Sequence, residues 1–520
     1  MNLATNPDRI SRSYDAVVVG SGISGGWAAK ELGEAGLKVL VLEAGPHRAL
    51  RPRSEYAGPE RESRAVTRQK IQAQHAAFWD LDPDLFVDDN EHPYVQGGPE
   101  RFLWIRGRQV GGRSLTWGGV TLRFSDYEFQ GQWDESEAAA WPFRYRDLCP
   151  YYDYVEGFLG VQGTAEGLPQ LPDGVCLGHS GLTGAELRFK QIVERQWRDR
   201  KVIPGRGIAP SRNADRAEWP RTSNLGTTLK AAIAIGKVVI ASNRAVSHLI
   251  TERDGTVSGV AVVDTESGKS SEVRARFVIL AASAIESVRI LLNSKCARHP
   301  NGVGNANGLL GRFLLDHAVI WVNGPLATDR SPEPHRLGGP DSIIIPRYRN
   351  LHARECDFAG GFGIWGGMQR GESEGFWFLH ALTEMQPQQT NRITVDESVR
   401  DCYGIPAARV SVSYSADDAQ MIRSVIRDLW ELSQSAGLTI SQSGRTYPGQ
   451  YVHELGGARM GSRPETSVLN GFNQCWDAPN VLVVDGACFA SAGWQNPALT
   501  IMAITVRACR HLVQRQASHR

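Results

Sequence analysis

The chain has 520 residues, 57 of them Lys or Arg and 56 Asp or Glu, for a formal net charge of +1 at pH 7. That balance creates no long-range field to collect nucleic acid or an anionic membrane surface, and directs attention to a small neutral partner. The length allows a large core in two or three domains or one composite domain, and eight cysteines without a CxxC pair argue against a disulfide framework, a dithiol redox motif or a metal knuckle, as in a reduced cytoplasmic setting.

Met1 to Ile10 are polar, with neither an apolar signal-peptide core nor a twin-arginine run. The first element is a strand, Val17-Val18-Val19, running into Gly20-Ser21-Gly22-Ile23-Ser24-Gly25, then a helix and a second strand that ends in Glu43. Gly20 permits a tight turn, Gly22 lets backbone approach a pyrophosphate, Gly25 permits close helix-to-strand packing, and the helix N-terminus offers N–H groups to phosphate. Glu43 falls about 20 residues beyond Gly22, where a carboxylate accepts hydrogen bonds from an adenosine ribose. A glycine-rich turn of an ordinary α/β unit explains the glycines but not that acid. A second glycine cluster, Gly107 to Gly119, contains Arg108, Gly111, Gly112, Ser114, Trp117 and Gly118. Its small side chains predict a packed turn whose backbone passes close to something flat or phosphorylated.

The middle of the chain is irregular and aromatic-rich, whereas strand and helix signals alternate at both ends. Lys237 to Ala241, Val257 to Asp264 and Arg276 to Ala281 read as strands, the last as a buried parallel one, followed by a helix over Ser283 to Asn293. No second strand-plus-GxGxxG unit exists, since Gly302 to Gly311 lacks a preceding strand; the nucleotide is therefore read as FAD rather than a resident NAD(P)H. Long strands are expected at Gly375 to Thr383 and Arg409 to Tyr414, and Trp365, Phe376 and Trp377 are candidates either for stacking on a sugar face or for ordinary packing.

The C-terminal region carries the richest chemistry. His453-Glu454-Leu455-Gly456-Gly457 is followed by a strand, Val481 to Val484, that ends in Asp485-Gly486, where ligands sit in an open α/β sheet. Trp494 to Thr500 then places Asn496 as a helix cap and Pro497 at the first position of a helix running to about Val513. That helix would aim its partial positive charge at the cofactor. His453 has the chemistry to accept a hydroxyl proton near neutral pH; His317, in Gly311 to His317, is read as structural. Gly486 to Val506 carries no charge, but Gly493, Gln495, Asn496 and Pro497 in its middle argue for a loop feeding a buried helix rather than a membrane span.

Taken together, the N-terminal cradle, Gly107 to Gly119, Trp141-Pro142 to Tyr152, Arg276 to Asn293, Gly311 to His317, Asn391-Arg392-Ile393-Thr394 and the C-terminal block resemble, in order and over nearly the whole chain, the glucose-methanol-choline (GMC) flavoprotein oxidoreductases. The resemblance implies an α/β composite fold: a Rossmann-like FAD-binding domain over residues 1–124, 204–319 and 447–520, and a discontinuous antiparallel-sheet substrate domain over 125–203 and 320–446. It implies His453 and Asn496 as the catalytic pair. FAD contacts are implied at Gly20, Gly22, Ser24, Gly25, Glu43, Ala44, Arg108, Gly111, Gly112, Ser114, Trp117, Gly118, Val246, Ala282, Asp485, Gly486, Asn496, Pro497 and Thr500, with no metal. His453-Glu454-Leu455-Gly456-Gly457 with Asn496-Pro497 looks like the branch of pyranose oxidases and bacterial glycoside 3-oxidising enzymes. Thr116 stands where some relatives carry a histidine bonded to FAD, so the resemblance implies non-covalent FAD. The implied reaction is oxidation of a secondary sugar or glycoside hydroxyl, at C3, to a keto sugar; a GMC enzyme acting on an aminoglycoside or a non-sugar alcohol is the alternative. Oxygen, a quinone or a carrier protein are equally compatible electron acceptors.

Overall fold

The structure, a computed structural model, describes residues 13–49, 83–130, 140–179, 181–208, 222–326, 342–369 and 375–517. Met1 to Ile10 lie outside them. A largely parallel sheet positions everything that follows. Its strands lie in the order Val238–Ala241, Val39–Leu42, Ser13–Val19, Ser270–Leu280, Val257–Asp264, Arg244–Thr251. Ser270–Leu280 divides its second edge: its N-terminal half pairs antiparallel with Val257–Asp264, and its last three residues pair in parallel with Val481–Val483. Val39–Leu42 and Val481–Val483 are apolar and fully buried, as expected of strands covered on both faces. The helix Ile23–Glu34 covers one face and packs against the final helix, Ala498–Ala517.

Two glycines make that packing possible. Gly20 has φ of +97°, and a Cβ on Gly25 would lie 1.9 Å from the Gly20 carbonyl oxygen. The helix can approach the strand that closely only without side chains.

A six-stranded sheet forms the second layer, in the order Gln442–Arg445, Val319–Leu326, Gly375–Thr383, Phe362–Gln369, Ile343–Ile345, Ile203–Pro204, with antiparallel neighbours throughout. The helix Ala416–Ser435 packs against it. Gly375–Thr383 matches the strand expected there, and its Trp377 is wholly buried in the core, which removes it as a sugar-stacking residue. Phe376 is exposed. The strand expected at Arg409 to Tyr414 instead spans Pro406–Ser411, because it pairs with Arg392–Arg400 and ends where Ser413 turns to bond the Asn391 side chain. The stretch read as irregular holds two helices, Tyr145–Leu159 and Gly184–Gln196. Pro150 inside the first obscured its periodicity. The uncharged Gly486 to Val506 segment folds as a short turn, a loop and the start of the last helix; among the described residues no helix is long and apolar enough to cross a membrane.

The two layers meet around a buried ion cluster. Arg347 has no solvent exposure and lies 2.7 Å from Glu384 and 3.5 Å from Glu128. Burial pushes the Glu384 carboxyl up to about 7, even with the Arg347 guanidinium beside it. Arg347→Met leaves two buried carboxyls without their cation, so a loss of about 3–5 kcal/mol of stability is expected, read as a lowered thermal midpoint.

Candidate active site

The carboxyl ends of the parallel strands open onto one cavity of 330 Å³, a size typical of small-molecule and cofactor sites, lined at once by Gly20, Glu43, Ala281 and Asp485. A Cβ on Gly22 would meet no protein atom within 4 Å, so this glycine faces the open space directly. Gly112, from the second glycine cluster, approaches so closely that its Cβ would be 3.0 Å from the Gly22 Cα. Asn224 stitches the two segments together: its amide donates to the carbonyls of Ser21 (2.6 Å) and Gly22 (2.8 Å), and its oxygen accepts from Ser114 Oγ (2.8 Å). Glu43 accepts from the Ser21 N–H (3.0 Å), the Ser21 hydroxyl (2.6 Å) and the Gly45 N–H (3.0 Å). A carboxylate has about four acceptor positions, so one remains for a ribose hydroxyl. Burial raises the Glu43 pKa and these hydrogen bonds oppose the rise. Backbone glycines open to a cavity and an acid at the strand end are what an adenine dinucleotide requires; the residues fit FAD.

Of the other positions expected to touch the cofactor, Ser24, Ala44, Arg108, Trp117, Gly118, Val246, Ala282, Gly486 and Pro497 line this cavity. Three do not. Gly25 serves the helix-to-strand contact, and Gly111, with φ of +99°, donates its N–H to Ser21 Oγ (3.0 Å) and so braces the cradle from behind. Thr500 is buried with its hydroxyl 2.8 Å from the Tyr152 hydroxyl, because the first helical turn directs it inward. Trp365 lines the cavity.

In the wall of the same cavity, His453 and Asn496 come together: Asn496 Nδ2 lies 3.2 Å from His453 Nε2. The final helix begins at Ala498, with the Pro497 carbonyl accepting its first bond from Ile501 (2.9 Å). Pro497 thus occupies the cap position expected for Asn496, and the Asn496 amide turns to the imidazole instead. On its other side, His453 Nδ1 lies 3.0 Å from His317 Nδ1, and the two rings meet edge to face at 4.9 Å between centroids. His317, expected to be structural, is fully buried and packs directly against His453. Leu315 and Leu455 exchange two backbone hydrogen bonds, of 2.8 and 2.9 Å, in an antiparallel bridge. That register sets His317 opposite His453, two residues from the bridge on each chain. No local pattern in either segment announces the pairing.

Arg113 was also missed. It donates to the Val452 carbonyl (3.0 Å) and the Glu454 carboxylate (2.6 Å), the two neighbours of His453, and to Ser283 Oγ (3.1 Å). Val452 has φ of +60°, an unusual conformation for a β-branched residue, and Arg113 holds it there. Tyr451 completes the wall, its ring 5.2 Å from that of His453. Burial, then His317, then the Arg113 charge all push the His453 pKa well below 6.5. Burial pushes Asp485 the other way, to about 6.

Sequence comparison decides the family. Two GMC oxidoreductase family models match, over residues 14–319 and 387–505. The chain belongs to the GMC oxidoreductases. It is a FAD-dependent enzyme acting on CH–OH groups. A 2-methyl-1,2-propanediol dehydrogenase of Mycolicibacterium austroafricanum is 26% identical, over 96% of this chain and 95% of that one. A paromamine 6'-oxidase of Streptomyces fradiae is 28% identical, over 98% of this chain and 93% of that one. A solved formate oxidase from Aspergillus oryzae RIB40, studied for its FAD modification, superposes with a TM-score of 0.66 over 98% of this chain and 99% of that one, at 13% identity. That likeness shows the GMC fold, with its Rossmann-like sheet and its second, antiparallel layer.

Proposed function

We propose that this GMC oxidoreductase oxidises a secondary hydroxyl of a sugar or glycoside, at C3 in the narrowest form of the reading, with His453 as the base and Asn496 as the group that holds the alkoxide. The supporting observation is the 3.2 Å approach of these two side chains in the wall of the cavity that Glu43 also lines. When bound, the flavin supplies the acceptor for the carbinol hydride. His453 takes the hydroxyl proton at Nε2 and Asn496 donates to the oxygen as it gains charge, an interaction that strengthens only toward the transition state. Trp365 and Tyr451 line the same cavity, Tyr451 with its ring 5.2 Å from that of His453. In this reading residues 1–124, 204–319 and 447–520 carry the cofactor and the rest shape the substrate.

The relatives acting on a propanediol and on paromamine favour a second reading, an aminoglycoside or a non-sugar alcohol. Anaerobic screening for flavin bleaching against glycosides, aminoglycosides and simple diols, followed by NMR of the carbonyl product, separates the two. Bleaching by glycosides with a 3-keto product supports the first; bleaching only by aminoglycosides or diols replaces it.

Two further outcomes are expected. Because the His453 pKa is depressed, its base form persists into mildly acidic solution, so the rate of anaerobic flavin reduction stays level through pH 6.5 and its acid limb falls below that value. In this reading the FAD is held without a covalent bond, because Thr116 stands where a linking histidine would be needed, and acid precipitation is expected to leave all the yellow chromophore in the supernatant.

A further inference from the structure

The hydrogen bonds around His453 permit only one placement of its protons. The Gly493 carbonyl can only accept, so the 2.6 Å contact with His317 Nε2 puts a hydrogen on that nitrogen. Burial lowers the His317 pKa to about 4, which leaves the ring neutral with a lone pair on Nδ1. His453 Nδ1, 3.0 Å away, must then be the donor. A neutral imidazole with a hydrogen on Nδ1 has none on Nε2, and that is the atom the Asn496 amide N–H groups approach at 3.2 Å. The three contacts are mutually consistent in this arrangement. Reversing the central bond would set an N–H of His453 against an N–H of Asn496.

We propose that His317 is a positioning residue: it holds His453 in the tautomer with Nδ1 protonated and keeps Nε2 bare toward the cavity. The assignment rests on the reading of His453 as base, and it deepens that reading by naming the atom that acts and the group that prepares it. The chain of contacts runs from the Gly493 carbonyl through His317 and His453 to Asn496, and Gly493 lies on the same loop as Asn496. Both ends of the relay are thereby fixed to one segment. The backbone bridge between Leu315 and Leu455 holds the two rings at this spacing before any substrate arrives. The charged neighbours, Arg113 and Glu454, are paired with each other at 2.6 Å, and the nearby Tyr451 hydroxyl lies 3.1 Å from His380 Nδ1. Hydrogen-bonding partners that fix the tautomer of a metal-bound histidine contribute about 10- to 100-fold, and the same scale is expected for His317.

The test uses holoenzyme labelled with 15N-histidine, the His453 resonances being identified by their loss in His453→Asn. The wild-type ring is expected to show a protonated Nδ1 and a bare Nε2. In His317→Leu the ring is expected to move toward the Nε2-protonated form, and anaerobic reduction of the flavin by substrate to slow about 10- to 100-fold at unchanged FAD content. His317→Gln, whose amide oxygen can accept from Nδ1, is expected to restore the tautomer and part of the rate. A protonated Nε2 in the wild type overturns the proposal, as does an unchanged tautomer in folded His317→Leu; if that variant does not fold, the wild-type spectrum and His317→Gln decide. The tautomer is read without substrate. A His453→Ala enzyme that reduced its flavin at the normal rate would therefore sink the base assignment while leaving this result to be judged separately.

Discussion

In His453→Ala, reduction of the flavin by substrate under anaerobic conditions is expected to slow by about 10²–10⁴-fold, the range a positioned general base contributes, while FAD stays bound. Retention follows because the groups placed to hold the dinucleotide are Gly20, Gly22, Glu43 and Gly112, whose contacts do not involve the imidazole. The loss should appear in the rate constant of reduction at saturating substrate more than in apparent affinity, because the proton is taken only in the chemical step. Added imidazole should recover part of the rate by entering the space the truncation leaves. Stopped-flow absorbance reads both effects, and reduction at the wild-type rate would remove His453 from the mechanism.

The second large effect is expected at the glycine cradle. A methyl group on Gly25 would be 1.9 Å from the Gly20 carbonyl, and because that oxygen is backbone the helix itself has to move. Overpacking of this kind costs about 1–3 kcal/mol, and displacement of the helix N-terminus weakens every contact it makes with phosphate. Gly25→Ala is expected to lower the thermal midpoint and to weaken FAD binding by about 10- to 100-fold. Gly22→Ala provides the contrast. Its methyl group meets no protein atom within 4 Å and projects into the cavity, so the apoprotein should melt normally while FAD titration shows weakened binding. If both variants bound FAD normally, the cradle would have to lie elsewhere.

These contrasts show what the sequence made legible. The spacing of Gly20, Gly22, Gly25 and Glu43 is a local code, since each residue acts within one strand–helix–strand unit whose geometry barely varies. The strands Val257–Asp264 and Gly375–Thr383 were readable for the same reason: runs of β-branched and aromatic residues between turn residues are a property of the segment itself. The helix Tyr145–Leu159 was hidden by an internal proline, and the burial of Trp377 depended on a neighbouring sheet face that its own segment does not encode. The contact of His317 with His453 was not legible, and Arg113 escaped notice, because the meaning of both is long-range. A bridge between Leu315 and Leu455 gives the first its partner, and the approach of the second glycine cluster to Val452 and Glu454 gives the second its role.

The divided edge of Ser270–Leu280 has a consequence for how the protein is made. Val278, Ile279 and Leu280 pair on one side with Val17 to Val19 and on the other with Val481–Val483, so until residues 481–483 are made that second edge is an apolar strand edge with its N–H and C=O groups unsatisfied. Closing that gap brings together segments about 200 residues apart in the chain, which makes it a late event and leaves the half-built intermediate prone to sticking to its own kind. A chain that stops upstream of residue 481 leaves this central layer open on one edge, so such a product is expected to behave as an aggregate or a protease substrate, not as a weakened enzyme.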